Sequence, residues 1–562
     1  MMWASRALGV GALVYDWSGN FGTGPFSSES GKVAAADASG NVILSGDFVG
    51  AVDFGGGLLT STMGSTDIFV AKLDPTANHV WSKRFGDAAE QYGGVHGAAV
   101  DASGNVVVTG YFHGSMDFGG GPLTAVGQRD DIYVATLDPS GNHLWSKKFG
   151  DSPEMAGDVD QLGESVAIDA SGNVLVTGFF QGWVNFGGAT LKAAAFSWDM
   201  FVVKFDASGN HVWSKDFGAA GTAARAYCVV ADPWGNVVVT GNAQGPVDFG
   251  GGPLPWTGSE DIVLAKLDSN GNHVWSRSFG DAAAQYATSV ATDASGSVIL
   301  AGYFEDTVNF GGGPLTSAGA YDMFIAKFDA AGNHVWSKRF GASNHQTADA
   351  VAVDGFGSVI VTGLLRGTVD FGGGPLTALI SDVFVAKFDA AGNHIWSQRY
   401  GEASAPESGF QTGLGAAVDA SDNVVVTGRF TVSLDFGPDT LTTAGPSDQN
   451  IFVVRFTPDY VTGVAGNDIP RANYLRQNVP NPFNPRTTIT YGLHAAGHAS
   501  LRIYDASGRL VRVLVEGYQG PGPHDVEWNG EDELHRGVAS GVYFCRLDAA
   551  GETLTRKLVL LR

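Results

Sequence analysis

Apolar residues along most of this chain come in short bursts of four to eight, separated by turn residues, and not at the three-to-four spacing of a helix. Residues 97–101 (Gly-Ala-Ala-Val-Asp) and 105–112 (Asn-Val-Val-Val-Thr-Gly-Tyr-Phe) flank a Gly-containing turn and predict a hairpin. Residues 131–138 and 143–149 flank Pro139-Ser-Gly-Asn142 and predict a second, with Pro and Gly where turn geometry wants them. The unit therefore has four strands, a to d. Strands b and c are nearly continuous apolar runs, as expected when both faces of a sheet are covered. Strand d mixes Trp145 and Phe149 with Lys147 and Lys148, which marks it as an outer edge guarded by lysine.

The unit recurs. Four signatures follow one another in fixed order, each seven times: Asp-x-x-Gly-Asn or a near variant (first at Asp37, last at Asp419), Asp/Asn-Phe-Gly (Asp53 to Asp435), an apolar run opened by Asp or Asn (Asp67 to Asn450), and Trp-Ser (Trp17 to Trp396). Successive tryptophans stand 64, 64, 68, 62, 61 and 60 residues apart. Seven four-stranded sheets at this period predict a β-propeller. The repeats begin with a lone strand d (Val14 to Phe21) and finish with strands a, b and c (about 415–457). That phase shift is expected of a closed circle whose last blade is completed by the N-terminal strand. The expected class is all-β: a seven-bladed β-propeller over 14–460, a linker over 461–473, and an Ig-like β-sandwich over 474–562. Residues 1–13 are expected to be an N-terminal segment, read as a truncated start or plain strand residues ahead of the alternative, a remnant signal sequence. Arg6 and the apolar stretch Ala7 to Tyr15 suggest an export leader, but no small-x-small cleavage site follows.

Residues 101–112, then Asp-Ile-Tyr-Val-Ala-Thr-Leu-Asp (131–138) and Gly-Asn-His-Leu-Trp-Ser-Lys (141–147), resemble the bacterial SBBP-type β-propeller repeat. The resemblance covers about 14–458. It implies a seven-bladed propeller, usually exported, with no assigned chemistry.

After about residue 467 the repeat stops. Alternating or apolar runs at Thr487–Tyr491, 499–505, 508–511, 524–528, 541–544 and 557–560 predict a small β-sandwich. Pro-Asn-Pro-Phe-Asn-Pro (480–485), Tyr-Asp-Ala-Ser-Gly-Arg (504–509), Val-Ala-Ser-Gly-Val-Tyr-Phe (538–544) and the final Arg-Lys-Leu-Val-Leu-Leu-Arg are similar to two overlapping families. These are the FlgD-like Ig domain and the type IX secretion type A sorting domain. The resemblance implies an exported protein whose tail docks on, or is sorted by, secretion machinery. The two families differ on whether that tail survives export.

Composition narrows the function classes. Gly is 80 of 562 residues and only 16% are charged, a pattern of many short strands and tight turns. Of the 33 basic and 57 acidic residues, 11 and 10 lie in 467–562, so residues 1–466 stand near −25. That charge argues against a nucleic-acid groove, which needs clustered Lys and Arg, and suits a cationic partner. No apolar run reaches the ~20 residues of a membrane helix. Cys228 and Cys545 fall in different domains and carry no disulfide framework. A monomer is expected.

Candidate chemistry is thin. His79, His143, His211, His273, His334 and His394 each open strand d of a different unit, too dispersed to share a metal ion. The Asp-x-Ser-Gly-Asn turns lack the further carboxylates of a calcium loop and read as side-chain-capped turns. Asp-Phe-Gly-Gly-Gly is followed by neither a helix nor Lys-Ser/Thr, so it is no phosphate loop. The tryptophans read as inter-blade packing. No catalytic, cofactor or metal residues are expected. The loops between strand d and the next strand a vary most between repeats, and binding residues are expected there: Gln91, Tyr92, Asp158, Asp160, Gln161, Gln285, Tyr286, His345 and Gln346. The expected role is an exported, non-catalytic binding or scaffolding propeller, at the cell surface or in the medium, for a protein or glycan partner. A lectin-like propeller and a polysaccharide-active enzyme are the alternatives.

Overall fold

The computed structural model describes residues 12–22, 28–458 and 473–561, apart from 63, 128, 151–158, 195–196, 403–408, 446, 494–496, 520–521, 535 and 550–551. The chain divides into a unit spanning Ala12–Asp459 and a second that holds Tyr460–Arg562. Residues 1–11 of the expected N-terminal segment and nearly all of the expected linker lie outside the described residues, as does Asp158, whereas Leu13 belongs to the first strand.

All the regular structure among the described residues is β. Among the described residues the first unit forms seven antiparallel four-stranded ladders. Six are continuous in sequence: 28–85, 91–149, 161–217, 223–279, 285–340 and 347–400. The seventh takes strands a to c from 411–458, and its fourth strand is Leu13–Phe21, paired antiparallel with Gln449–Pro458. Each strand a lies beside strand a of the next sheet, and that of the seventh lies beside that of the first. Every residue of Asp131–Leu137, a strand c, is buried, so the continuous apolar run reflects cover on both faces.

Three repeated contacts join one sheet to the next. The last aromatic of strand d stacks on the phenylalanine of the following Asp-Phe-Gly: Phe85 on Phe118 at 4.5 Å, Phe217 on Phe249 at 4.7 Å, Phe279 on Phe310 at 5.0 Å. Phe21 on the N-terminal strand meets Phe54 of the first sheet at 4.9 Å in the same way. The indole N–H of strand d donates to a carbonyl in the next sheet's c–d turn, as in Trp81 to Pro139 (2.9 Å) and Trp17 to Pro75 (3.0 Å). The same indole covers a turn glycine: a Cβ on Gly141 would lie 2.9 Å from Trp81. Inside the sheets, a strand-c lysine pairs with the aspartate of the a–b turn, both buried, as in Lys266–Asp232 (2.8 Å) and Lys387–Asp354 (3.0 Å).

Two details depart from the sequence reading. The connection between strands b and c is not a plain loop: in most sheets it folds as a further small hairpin, such as Ala51–Asp53 with Leu58–Thr60, which carries the Asp-Phe-Gly phenylalanine to the neighbouring sheet. Strand a of the second sheet starts at Gln91, not 97, because Gly93, Gly94 and Gly97 disguise it. Its backbone passes so close to the third sheet that a Cβ on Gly94 would lie 2.5 Å from the Glu164 carbonyl oxygen. The strand-d lysines are also engaged: Lys148 pairs with Asp131 at 2.9 Å and Lys147 donates to the Gly209 carbonyl of the next sheet.

The second unit packs a three-stranded sheet (Tyr474–Leu475, Thr487–Leu493, Gly522–Trp528) with a four-stranded one (Leu510–Gln519, Gly497–Asp505, Gly541–Ala549, Glu552–Leu560). Ile489, Tyr491, Leu501, Trp528 and Leu558 share the core with Cys545, which behaves as a small buried hydrophobe. Phe483, from the Pro-rich segment, packs on Trp528 at 5.4 Å.

If the N-terminal strand is an integral member of the seventh sheet, Phe21→Ala destabilises the first unit about as much as Phe310→Ala, each by roughly 3–5 kcal/mol. Guanidinium unfolding followed by tryptophan fluorescence measures both. A negligible effect of Phe21→Ala beside a large effect of Phe310→Ala would contradict that placement.

Candidate functional site

The first strand of each sheet carries a bulge, and the bulge builds the site. In six sheets one residue is extruded at the same place: Lys32, Glu164, Tyr227, Thr288, Asp349 and Leu414. In the second sheet the extrusion grows to four residues, Gly94 to Gly97. Extra residues in one strand bend it and re-aim its side chains. The bulge also drives a carbonyl into the neighbouring strand, which explains the glycine that recurs in strand b. A Cβ on Gly110 would sit 2.1 Å from the Tyr92 carbonyl oxygen, and one on Gly46 1.9 Å from that of Ser30.

Around this fixed frame four positions per repeat change identity: the residue after the opening Gln, the bulged residue, the residue after the strand-b glycine, and the residue before the strand-c aspartate. All belong to the end of the sheets where the opening residues of strand a gather, and their contacts run from sheet to sheet. The Lys32 ammonium pairs with Asp47 at 2.5 Å, donates to the Gly93 carbonyl at 2.9 Å and lies 6.0 Å from the Tyr92 ring. Tyr92 and Tyr111 stand 5.2 Å apart. Arg225 pairs with Glu260 at 3.4 Å and covers Phe179 and Trp198 at 5.8 and 5.9 Å. Tyr286, Tyr303, Tyr321 and His345 form a chain of rings 5.0–5.2 Å apart in sequence order. His96, from the enlarged bulge, reaches the Thr288 carbonyl of the fifth sheet, 2.9 Å from its Nε2.

The electrostatics are those of a desolvated, mixed-charge surface. Burial pushes the Glu164 carboxyl up to about 7, opposed by the Lys32 charge and by the Val95 N–H, which donates to it at 3.3 Å. Burial likewise lifts Asp349 to about 6, although the Thr412 hydroxyl donates to it at 3.0 Å. Burial raises the Tyr227 hydroxyl to about 12 and those of Tyr111 and Tyr303 further, with nearby carboxylates adding to the effect. Such a surface presents cations, carboxyls and ring faces together, which is recognition chemistry.

The expected site residues divide into two kinds. Tyr92 and Tyr286 belong to this surface, on strand a and not in the preceding loops, and His345 is exposed beside Tyr321. Asp160 pairs with Arg129 at 3.6 Å nearby. The glutamines are committed inside the protein. Gln91, Gln161, Gln285 and Gln346 are fully buried. Gln91 accepts from the Asp87 N–H at 3.2 Å and donates to the Asp87 carboxylate and the His113 carbonyl at 2.9 and 3.1 Å, and so fastens the incoming loop to strand b. Lys32, Asp47, Tyr111, Glu164, Arg225, Tyr227, Glu260, Tyr303, Tyr321 and Asp349 were not expected. Superposing the seven repeats and asking which positions differ would have found them.

The other motifs have structural roles. His143 packs over the hairpin glycine Gly120, where a Cβ would lie 2.2 Å from its ring, and its Nε2 lies 3.0 Å from the Ser146 hydroxyl. Asp37 accepts from the Ser39 and Asn41 N–H groups at 2.9 and 3.0 Å, and Asp53 from those of Gly55 and Gly57. Among the described residues no group of three or more His, Cys, Asp or Glu is arranged to hold a metal ion.

Comparison with known proteins adds the following. Residues 485–552 match the FlgD Ig-like domain family. The chain is 22% identical over 449 residues, 65% of its length, to an uncharacterized WD repeat-containing protein of Acanthamoeba polyphaga mimivirus, and covers 31% of that protein. It is 27% identical over 209 residues, 35% of its length, to the regulatory protein FlaEY of Caulobacter vibrioides, covering 22% of it. The chain thus spans about a third or less of these relatives. Among solved structures it is similar to PorZ, a surface component of the type IX secretion system of Porphyromonas gingivalis, at 12% identity and a TM-score of 0.29, covering 94% of this chain and 70% of PorZ.

The Glu164 carboxyl yields a pH prediction. Its pKa rises from an ordinary 4.5 to about 7 on folding, so the native state holds the extra proton between those values. Stability contributed by the neutral acid is therefore full below about 4.5 and lost as pH rises through about 7. Between pH 5 and 8, wild type loses up to about 3 kcal/mol relative to Glu164→Gln, read from paired denaturant curves. Parallel pH profiles would refute the assignment.

Proposed function

We propose that the first unit is a closed seven-bladed β-propeller that binds a partner without catalysis, and that the protein is exported to the cell surface or medium with its Ig-like tail as the docking or sorting module. Closure is supported by the pairing of Leu13–Phe21 with Gln449–Pro458 and by the Phe21–Phe54 contact, which repeats the other sheet junctions. The binding reading is carried by one observation: beside glycines and aspartates that recur from sheet to sheet, four positions within or next to the strands change identity and join in contacts that run between sheets. Residues free of a structural duty vary where recognition is needed. The non-catalytic reading is supported by the engagement of Glu164, Asp349 and Glu260 in hydrogen bonds or ion pairs within the protein. The export reading rests on the FlgD Ig-like match at 485–552 and on the tail motifs.

A second reading, a lectin-like propeller, is favoured by the Tyr286–Tyr303–Tyr321 ring chain, since tyrosine faces stack on sugar rings as well as on cations.

A photocrosslinking residue tests the binding surface. Placed at Tyr92 or His345 in the native host, it should capture one partner, while the same residue at the exposed strand-d positions Val212 or Val335 should not. Equal capture from all four positions, or none, would overturn the reading; a captured polysaccharide would select the lectin. Deleting 474–562 should remove the protein from surface and medium fractions, and unchanged export would sink the docking role.

A further inference from the structure

The repeats contain their own control for what the variable surface recognises. In the third sheet the residue after the strand-b glycine and the residue before the strand-c aspartate are Phe179 and Trp198. Their rings meet edge to face at 5.3 Å and 76°. In the fifth sheet the same two positions hold Tyr303 and Tyr321, whose rings meet at 5.2 Å and 78°. The two pairs are the same platform built twice.

Their occupants differ. The third-sheet platform is covered by a guanidinium from the next sheet: Arg225, third residue of strand a (Ala223–Ala231), lies within 6 Å of both rings, at 5.8 and 5.9 Å. The equivalent residue beyond the fifth sheet is Thr347, the start of strand a of the sixth. A threonine carries no charge and is too short to lie over two rings, and its hydroxyl is turned to Asp349. The Tyr286 ring meets both tyrosines, at 5.0 and 6.2 Å, and carboxylates collect around the three. Glu305 and Glu260 act on the Tyr321 hydroxyl, and Asp349 and Glu260 on that of Tyr303. The exposed His345 ring lies 5.1 Å from that of Tyr321, tilted by 43°. A cation is drawn to a ring face by the ring quadrupole, and more strongly where carboxylates add to the field.

We propose that the Tyr303–Tyr321 platform takes an arginine side chain of a partner protein, in the place that Arg225 fills over Phe179 and Trp198. The proposal rests on the reading of this face as the binding surface and names the chemistry of the group it receives. Arginine fits better than lysine because its planar guanidinium stacks on aromatic faces and is weakly hydrated. The strongly acidic first unit would steer such a partner to it.

Thr347→Arg is the decisive variant, because it supplies from within the guanidinium that the neighbouring platform already has. The full chain, labelled at tyrosine ring carbons, is titrated with arginine amide, lysine amide and tetramethylammonium chloride. The expected result is saturable shifts of Tyr303 and Tyr321 with arginine amide, weakened about tenfold or more by Thr347→Arg and by Tyr321→Leu, and unchanged in Thr347→Ser. Should Thr347→Arg fail to fold, the double variant Tyr303→Leu with Tyr321→Leu carries the same comparison. No shifts with arginine amide, equal shifts in Thr347→Arg, or a response to tetramethylammonium alone would each overturn the proposal. Capture from His345 that persists undiminished in Thr347→Arg would overturn it while leaving the binding surface intact. Arginine binding that Thr347→Arg blocks, with no partner captured from Tyr92 or His345, would support the cation platform and reject the binding surface as read.

Discussion

Each sheet of the first unit hands one aromatic ring to the next. The ring ends strand d, and it lands on the phenylalanine of the following Asp-Phe-Gly turn at 4.5–5.1 Å in every junction, Phe21 on Phe54 and Tyr400 on Phe436 included. Much of the remaining local structure serves that contact. The b–c hairpin exists to carry the phenylalanine outward. The aspartate before it ties down the glycine turn, as Asp117 does for Gly119 and Gly121, and the strand-d histidine packs over the glycine between them. A four-stranded sheet with both faces apolar cannot stand alone in water, so the ring-to-ring junction is what makes seven such sheets one unit.

With the junctions settled by strand d and the b–c hairpin, and the a–b turn settled by a buried Asp–Lys pair, the opening half of strand a is left with little to do but bulge. Each bulge forces glycine on strand b and turns the residues on either side toward a common surface. Structural duty and sequence variation are thus separated within every repeat. The repeated residues hold the frame, and four positions vary over it. The separation also explains the charge pattern. Buried acids of the frame have their own cations, as in Lys204–Asp169 at 2.8 Å, whereas Glu164 and Asp349 at the variable positions stay protonated to higher pH because burial desolvates their carboxyls.

The strand pattern, the repeat count and the out-of-phase N-terminal strand were legible because period-two runs, turn residues and a sevenfold recurrence are local signals. The tryptophan role was legible for the same reason. The site was only half legible. Tyr92, Tyr286 and His345 were found because loops vary visibly in length, but Gln91 and Gln285 were swept in with them: a polar residue at a strand mouth looks the same in sequence whether it faces solvent or clamps a loop with three hydrogen bonds. Glu164 and Tyr303 were missed because they sit inside strands, and Tyr321 because it immediately precedes one, where variation at a single position is hidden by the recurring glycine or aspartate beside it. The small b–c hairpin was missed because its glycine-rich tip masks two strands of two or three residues.

On the binding reading proposed above, a repeat this regular would offer a partner seven equal ways to dock, and the variable positions would remove that degeneracy. Lys32 with Asp47 marks one side of the surface, Arg225 with Glu260 another, and the tyrosine chain from Tyr286 to His345 follows it. The enlarged bulge of the second sheet goes further. Instead of one residue it sends Gly94 to Gly97 across the inner surface until His96 meets the Thr288 carbonyl of the fifth sheet. Burial holds the His96 imidazole below its usual pKa, so the link is a neutral hydrogen bond at physiological pH and adds no charge to the middle of the surface. One insertion therefore breaks the equivalence of the repeats while the frame beneath it stays regular, and the cost falls on glycine, the residue that can follow such a path without a clashing Cβ.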